Sequence, residues 1–301
     1  MTINKRLLLA GVIVLAFIFL GFVLRFWVFD SSKGPGRTEK VAVVASFYPL
    51  EDVAKQVGGD LIKVTTVTPE GVEPHEYELT PQNLVDLYGA KLILLNGRGV
   101  DSWGDKLIDQ LHSKGIKAIR MSDLMGGADP HIWLDPTNME RQADVVAAAL
   151  AELDPRHALN YNEQRDEYKK DLATLDQEYR DGLAKCATRE IVTAHDAFGY
   201  LARRYNLTSY HLLGLSPEED PSPARLAEVA TIAKQKKMKT VFFETLVDPR
   251  LAQALAREIG AKTKVLTPIE GRTPAEAREG KGYADIMRDN LGVLREALDC
   301  I

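Results

Sequence analysis

The sequence contains few cysteines and no strong surplus of charge of either sign. Only two cysteines, Cys186 and Cys300, occur among 301 residues, and without a Cys-x-x-Cys pair they exclude a cysteine-rich zinc module. They form either one disulfide or two free thiols. Lysine and arginine total 38 against 43 aspartate and glutamate residues, so the net charge of -5 gives no broad basic surface. We therefore expect no nucleic-acid partner.

One long apolar run is present, at the amino terminus. Lys5 and Arg6 precede an uncharged segment at residues 7–24, which is followed by Arg25 and several aromatic residues. A cleavable signal segment usually has an apolar core of about 7–15 residues followed by small residues, so the longer run favours an uncleaved anchor. We predict a single-pass transmembrane helix within residues 1–29. The basic residues before it would leave the remainder of the chain extracytoplasmic, in a periplasm or outside the cell.

Short β-branched runs alternate with helical patterns after a polar tether at residues 30–40. This rhythm predicts an α/β fold in which parallel or mostly parallel sheets are flanked by helices. The strands fall into two groups, which predict an amino-terminal lobe at residues 41–154 and a carboxyl-terminal lobe at residues 185–301. The predicted strands are residues 41–45, 63–67, 91–95 and 117–119 in the first group, and 190–194, 208–212, 239–243 and 264–266 in the second.

A long charged segment separates the two groups of strands. Residues 155–183 have good helix formers, almost no glycine and a proline only at the start. We predict that residues 155–184 form one long, rigid helix that connects the two lobes. The alternative is a solvated surface helix inside a single domain, because charge-rich helices commonly have that role.

Three of the 6 histidines lie in polar loops that follow predicted strands. They are His75, His131 and His195, and such loops are where α/β folds bind ligands. Three imidazoles with one further position are a recognised zinc arrangement. Their wide separation in the sequence leaves convergence unproven, and a single loop histidine is more often a surface residue.

The other histidines are weaker candidates for metal binding. His112 lies between a helix and a strand, and His157 stands at the start of the long helix, so we expect both to face solvent. His211 alternates with apolar residues in a strand, which favours a core or edge position.

The residues around the loop histidines resemble the cluster A-I, or cluster 9, solute-binding proteins of metal ABC importers. The similarity extends from about residue 41 to the carboxyl end. Its motifs are Ser46-Phe-Tyr-Pro49, Pro74-His-Glu-Tyr-Glu78, Asp129-Pro-His-Ile-Trp-Leu-Asp135, Thr193-Ala-His-Asp-Ala-Phe-Gly-Tyr200 and Gly214-Leu-Ser-Pro-Glu-Glu-Asp-Pro-Ser222. This resemblance implies two α/β lobes, joined by a long helix, with a metal ion buried between them.

The resemblance implies that His75 and His131 bind the metal from one lobe and His195 from the other. Manganese-specific relatives often have a carboxylate at the position of His195, so zinc is favoured and manganese or iron is the alternative. The family commonly supplies a fourth oxygen ligand just before a carboxyl-terminal tyrosine, where this chain has Lys281 and Gly282. We therefore expect a water molecule, or a carboxylate from elsewhere such as Glu244, in the fourth position.

These features predict a monomeric binding protein without enzymatic activity. It would capture a divalent transition metal, Zn²⁺ before Mn²⁺, and deliver it to the permease of an ABC importer. A secreted zinc hydrolase, with Glu244 or Glu78 as general base, is the less favoured alternative, because catalytic zinc is also held by three histidines beside an open position. A surface adhesin of the same fold is a third.

Overall fold

The computed structural model describes residues 40–301. The predicted anchor and nearly all of the tether lie outside these residues. Within the described part of the chain, every helix is too short or too polar to cross a membrane.

A four-stranded parallel sheet forms in the first half of the described chain. Its strands lie in the order β2-β1-β3-β4, and each pair is parallel. Their bounds are Val41–Ala45 (β1), Ile62–Thr66 (β2), Leu92–Leu95 (β3) and Lys117–Arg120 (β4). All four strands lie within two residues of the positions predicted from their β-branched runs.

Helices cover both faces of this sheet. They are α1 (Tyr48–Gly58), α2 (Pro81–Gly89), α3 (Ser102–Ser113) and α4 (Pro136–Leu153). Because side chains alternate along a strand, Val43 and Ala45 pack into the cluster that contains α1 and α4, whereas Val44 and Ile93 pack into the cluster that contains α2 and α3. Burial on both faces explains the almost purely apolar sequence of β3.

Helix α5 (Ala158–Gly182) is the longest helix among the described residues. Its charged surface carries one apolar stripe at helical spacing, and this stripe is buried against α1, α4 and the last helix of the chain. The stripe consists of Tyr161, Tyr168, Leu172, Leu175 and Tyr179. The predicted α/β fold with parallel sheets, flanking helices and a long helix is therefore confirmed.

The second half contains two short parallel pairs of strands. β5 (Glu190–Thr193) pairs with β6 (Thr208–His211), β7 (Thr240–Phe243) pairs with β8 (Lys262–Val265), and β5 lies beside β7. The surrounding helices are α6 (Gly199–Arg204), α7 (Pro223–Gln235), α8 (Arg250–Ile259), α9 (Pro274–Glu279) and α10 (Tyr283–Ala297).

Strand β8 begins two residues earlier than the sequence indicated. Gly260 has a φ of 72° and ends α8 in the left-handed conformation, so the chain turns into the strand at once. One large apolar core contains side chains from both halves, among them Val43, Leu172 and Ile286. The lobe boundaries at residues 154 and 185 stay a prediction.

A disulfide joins Cys186 to Cys300, so neither cysteine is free. It connects the segment before β5 to the segment after α10. Because the bond closes 114 residues of chain, it restricts the unfolded state.

Replacing both cysteines by serine should lower the free energy of unfolding by about 2–4 kcal/mol. Urea denaturation of the full-length chain, followed by circular dichroism, measures this loss. Dithiothreitol should lower the stability of the wild type to that of the double variant and leave the variant unchanged. Equal stability of the oxidised wild type and the variant would show that the bridge contributes nothing.

Candidate metal centre

The polar residues of the site follow the carboxyl ends of parallel strands. His75 lies in the loop after β2, His131 after β4, His195 two residues after β5, and Glu270 in the loop after β8. Ends of parallel strands are where open α/β sheets place their ligands. The topology therefore directs side chains from distant parts of the sequence to one place.

These four side chains form a group that can hold a metal ion. One donor atom from each lies within 4.8 Å of every other. The three Nε2 atoms surround one carboxylate oxygen, Oε1 of Glu270, at 3.3 Å for His75, 3.2 Å for His131 and 3.5 Å for His195. The side chains of His131 and His195 are 0% exposed, that of Glu270 2% and that of His75 6%.

The spacing of these atoms fits a tetrahedral ion. Four ligands at zinc bond lengths of about 2.0–2.2 Å stand roughly 3.3–3.6 Å apart in a tetrahedron. The three distances to Glu270 and the 3.3 Å between Nε2 of His131 and Nε2 of His195 are close to that range. Three imidazoles and one carboxylate are also a donor set that suits zinc.

The loop after β2 holds His75 by backbone contacts. Oε2 of Glu73 accepts a hydrogen bond from the backbone N–H of His75 at 2.9 Å. Gly71, with a φ of 78°, donates its N–H to the carbonyl of Arg272 at 2.8 Å. This contact places the loop beside the segment that carries Glu270.

Asp129 contacts His131 at two atoms. One oxygen, Oδ1, accepts hydrogen bonds from both the backbone N–H and the Nδ1 of His131, each at 3.0 Å. With Nδ1 engaged in this way, Nε2 faces the other ligands. The next residues form a 3-10 turn, Ile132–Leu134, which buries Trp133 against the imidazole.

Glu244 occupies the corresponding position behind His195. It follows β7 directly, and its Oε2 lies 2.7 Å from Nδ1 of His195, while its Oε1 accepts the backbone N–H of the same residue at 3.2 Å. Nε2 of His195 is thereby directed away from Glu244 and toward Glu270.

The loop that carries Glu270 is fixed by four hydrogen bonds. Asn290 accepts the N–H of Thr267 at 3.0 Å and donates to its carbonyl at 2.7 Å, and the indole N–H of Trp133 donates to Pro268 at 2.6 Å. Ile269, which is β-branched, has a φ of 58° and donates its N–H to Oγ1 of Thr267. Such a backbone conformation persists only where its surroundings enforce it.

Burial and contacts with oppositely charged groups act in opposite directions on the pKa values of the site. Burial opposes a charge on the imidazole of His195, but the carboxylates of Glu244 and Glu270 outweigh it and raise its pKa well above the ordinary value. Burial likewise opposes a charge on His131, yet Asp129 and Glu270 raise its pKa. Burial disfavours the Glu270 anion, whereas hydrogen bonds from the three histidines hold its pKa well below the usual range.

The structure brings together the three histidines that the sequence singled out. A water molecule or a carboxylate such as Glu244 was the expected fourth ligand; the carboxylate that joins the three Nε2 atoms is that of Glu270, and Glu244 lies behind His195 instead. Glu270 lies in a loop that follows a strand, β8, as the three histidines do, and this position in the sequence could have identified it as a candidate ligand. The segment around Lys281 and Gly282, where the family commonly supplies its fourth ligand, instead leads into α10. There Tyr283 donates a hydrogen bond to the carbonyl of Trp133 at 2.6 Å.

The remaining histidines lie away from this group. Nε2 of His112 contacts the carbonyl of Ala118, and Nδ1 of His157 contacts Asp154 at 2.6 Å. His211 lies in β6 with its Nδ1 3.2 Å from Asp196.

Two curated proteins illustrate the similarity in sequence. The high-affinity zinc uptake system protein ZnuA of Bacillus subtilis is 35% identical over 292 residues, covering 89% of this chain and 92% of that protein. The zinc-binding lipoprotein AdcA of Streptococcus pneumoniae is 32% identical over 281 residues, covering 86% of this chain and 56% of that longer protein.

Solved structures show the same fold. The Zn(II)-bound ZnuA-like domain of Streptococcus pneumoniae AdcA matches with a TM-score of 0.76 at 33% identity, covering 87% of this chain and 100% of that domain. The laminin binding protein Lmb of Streptococcus agalactiae, described as having adhesin and metal transporting activity, matches with a TM-score of 0.79 at 33% identity, covering 86% of this chain and 99% of that chain.

The similarity covers nearly all of the described residues. Residues 43–297 match the family described as ZnuA, zinc-uptake complex component A, periplasmic. The matched range includes all three histidines and Glu270. This chain therefore belongs to the ZnuA family.

Proposed function

We propose that this protein captures a zinc ion outside the cytoplasm and delivers it to the permease of an ABC importer. The observation that carries this proposal is the group of His75, His131, His195 and Glu270, whose donor atoms already have nearly tetrahedral spacing in a buried site. The names of the zinc-uptake and zinc-binding relatives support the same function.

The donor set favours zinc over manganese. Imidazole nitrogen suits zinc, whereas carboxylate, carbonyl and water oxygens suit manganese. Four donors at tetrahedral spacing also match the four-coordinate geometry of closed zinc sites. A catalytic zinc keeps one position open for water, so the fourth protein donor, Glu270, argues against the zinc hydrolase alternative.

The division of the ligands supports capture followed by release. His75 and His131 come from the first half of the chain, and His195 and Glu270 from the second. We propose that these halves act as the lobes 41–154 and 185–301, with α5 between them. Separation of the lobes at the permease would take two of the four ligands away from the ion at once. The affinity of the protein for the ion would then fall, and the ion would be released.

The proposed location is the outer face of a cell membrane. An anchor within residues 1–29 would replace the lipid that holds relatives described as lipoproteins. The disulfide supports an extracytoplasmic location of the protein, because disulfides persist mainly in oxidising compartments.

The wild-type chain should bind one zinc ion tightly, and His195→Ala should weaken binding by at least about 100-fold, because one of four ligands is lost. Competition against a fluorescent chelator, with the full-length protein in detergent after removal of metal, measures both affinities. His112→Ala is the matched control and should bind like the wild type. Absence of zinc binding by the wild type would overturn the proposed function.

Glu270→Gln should distort the tetrahedral site, because an amide oxygen replaces the anionic ligand. Cobalt(II) bound to the wild type should show the intense visible absorption of a tetrahedral ion, and the variant should show weaker, shifted bands. Glu279→Gln, on the exposed end of α9, is the control. An unchanged spectrum in Glu270→Gln would remove this residue from the ligand set.

Zinc affinity should fall as the pH is lowered, because protons compete for the imidazoles. The pKa values of His131 and His195 are raised in the metal-free protein, so this competition begins above the ordinary value of about 6.5. Protons should therefore leave the histidines when zinc binds. Calorimetry in buffers of different ionisation enthalpy counts these protons, and a count of zero at pH 6 would contradict the assignment.

A further inference from the structure

Two of the three histidines have a carboxylate on the side of the ring that faces away from the other ligands. Glu244 contacts Nδ1 of His195, and Asp129 contacts Nδ1 of His131. His75 differs, since within residues 40–301 its one ring contact with a carboxylate is through Nε2 to Glu270. Within residues 40–301, carboxylates therefore contact both ring nitrogens of His131 and of His195 but only one ring nitrogen of His75.

The position of Glu244 is a consequence of the fold. β5 lies beside β7, His195 comes two residues after β5, and Glu244 comes directly after β7. Neighbouring strand ends therefore place the carboxylate against the imidazole. Both oxygens of Glu244 contact His195, one at Nδ1 and one at the backbone N–H.

Glu244 is a buried carboxylate that is paired with no lysine or arginine among the described residues. Its side chain is 2% exposed, and its one ion-pair partner in residues 40–301 is His195. Burying such a group is costly unless it is paired. Once zinc is bound, its two positive charges would be balanced by the buried carboxylates of Glu244 and Glu270.

Asp129 likewise contacts Nδ1 of His131, but its carboxylate is more exposed than that of Glu244 and has a second charged partner. Oδ1 accepts two hydrogen bonds from His131, and Oδ2 lies 3.6 Å from the guanidinium of Arg203 on α6. Its side chain is 17% exposed. The carboxylate thus contacts a ligand from the first half of the chain and a helix from the second.

We propose that Glu244 and Asp129 are positioning residues for zinc capture, which hold the Nδ1–H groups of His195 and His131 so that each Nε2, once its own proton has left, faces the zinc ion. This inference rests on the proposed function. Ligating histidines are commonly oriented by such a hydrogen bond, and loss of the partner weakens metal binding by about 10–100-fold. Glu244 has the larger role, because its charge is more deeply buried and both of its oxygens contact His195.

The same arrangement makes His75 the ligand that is held least firmly. Among residues 40–301 no carboxylate contacts its Nδ1, its side chain is the most exposed of the four, and a cavity of about 640 Å³ lies beside it.

The test compares Glu244→Gln, Glu244→Ala and Asp129→Asn with Glu76→Gln in the full-length protein. Glu76 is an exposed carboxylate next to His75, so it is the matched control. Zinc affinity by chelator competition should fall about 10–100-fold in Glu244→Gln and Glu244→Ala and less in Asp129→Asn, and stay unchanged in Glu76→Gln.

Proton NMR of the cobalt(II)-loaded protein gives a readout that packing alone would not change. Each ligating histidine contributes a paramagnetically shifted Nδ1–H resonance, which disappears in D₂O when the proton exchanges. The wild type should keep the resonances of His131 and His195 and lose that of His75 quickly, and Glu244→Ala should make the His195 resonance exchange quickly as well.

The outcomes separate the two proposals. If the wild type binds no zinc, the proposed function and this inference both fail. If the wild type binds zinc and Glu244→Gln binds it within about twofold, with the His195 resonance retained in Glu244→Ala, the inference alone is overturned. If neither Glu244 variant folds by circular dichroism, Asp129→Ala decides: fast exchange of the His131 resonance supports the inference, and a resonance that still exchanges slowly overturns it.

Discussion

A single buried carboxylate oxygen, Oε1 of Glu270, lies between three imidazole nitrogens. An isolated carboxylate at such a depth would be strongly destabilising, so the fold has to bring hydrogen-bonding partners to it. Those partners come from loops after β2, β4 and β5, while Glu270 itself follows β8. The parallel arrangement of the strands meets this requirement, because it collects the carboxyl ends of distant strands in one region.

The connections between these loops are themselves hydrogen-bonded. Trp133, two residues after one ligand, donates to Pro268, two residues before another, and Tyr283 donates to the carbonyl of Trp133. The ligand loops of the two halves are thus joined by contacts that do not involve the ion. A site arranged in this way loses little conformational freedom when it binds metal, and this favours tight capture. The left-handed backbone of Ile269 is one cost of that arrangement.

Most of the fold and three quarters of the candidate site could be predicted from the sequence. Short apolar runs locate strands because strands that are buried on both faces are apolar throughout, as in the Leu-Ile-Leu-Leu sequence of β3. His75, His131 and His195 stood out because they occupy polar loops after such runs. Glu270 did not, since an acidic residue in a loop is ordinary and only the three-dimensional arrangement shows that it is buried. Glu244 was noticed, but a pattern does not tell on which side of an imidazole a carboxylate lies.

The bond between Cys186 and Cys300 joins the segment before β5 to the segment after α10, and the backbone N–H of Ile301 donates to the carbonyl of Lys185 beside it. These two segments are therefore attached both covalently and by hydrogen bonding. Local opening of a fold begins where few contacts hold neighbouring segments together. While the disulfide is intact, α10 cannot separate from the start of β5 at this point, so any movement of the second half carries both elements together.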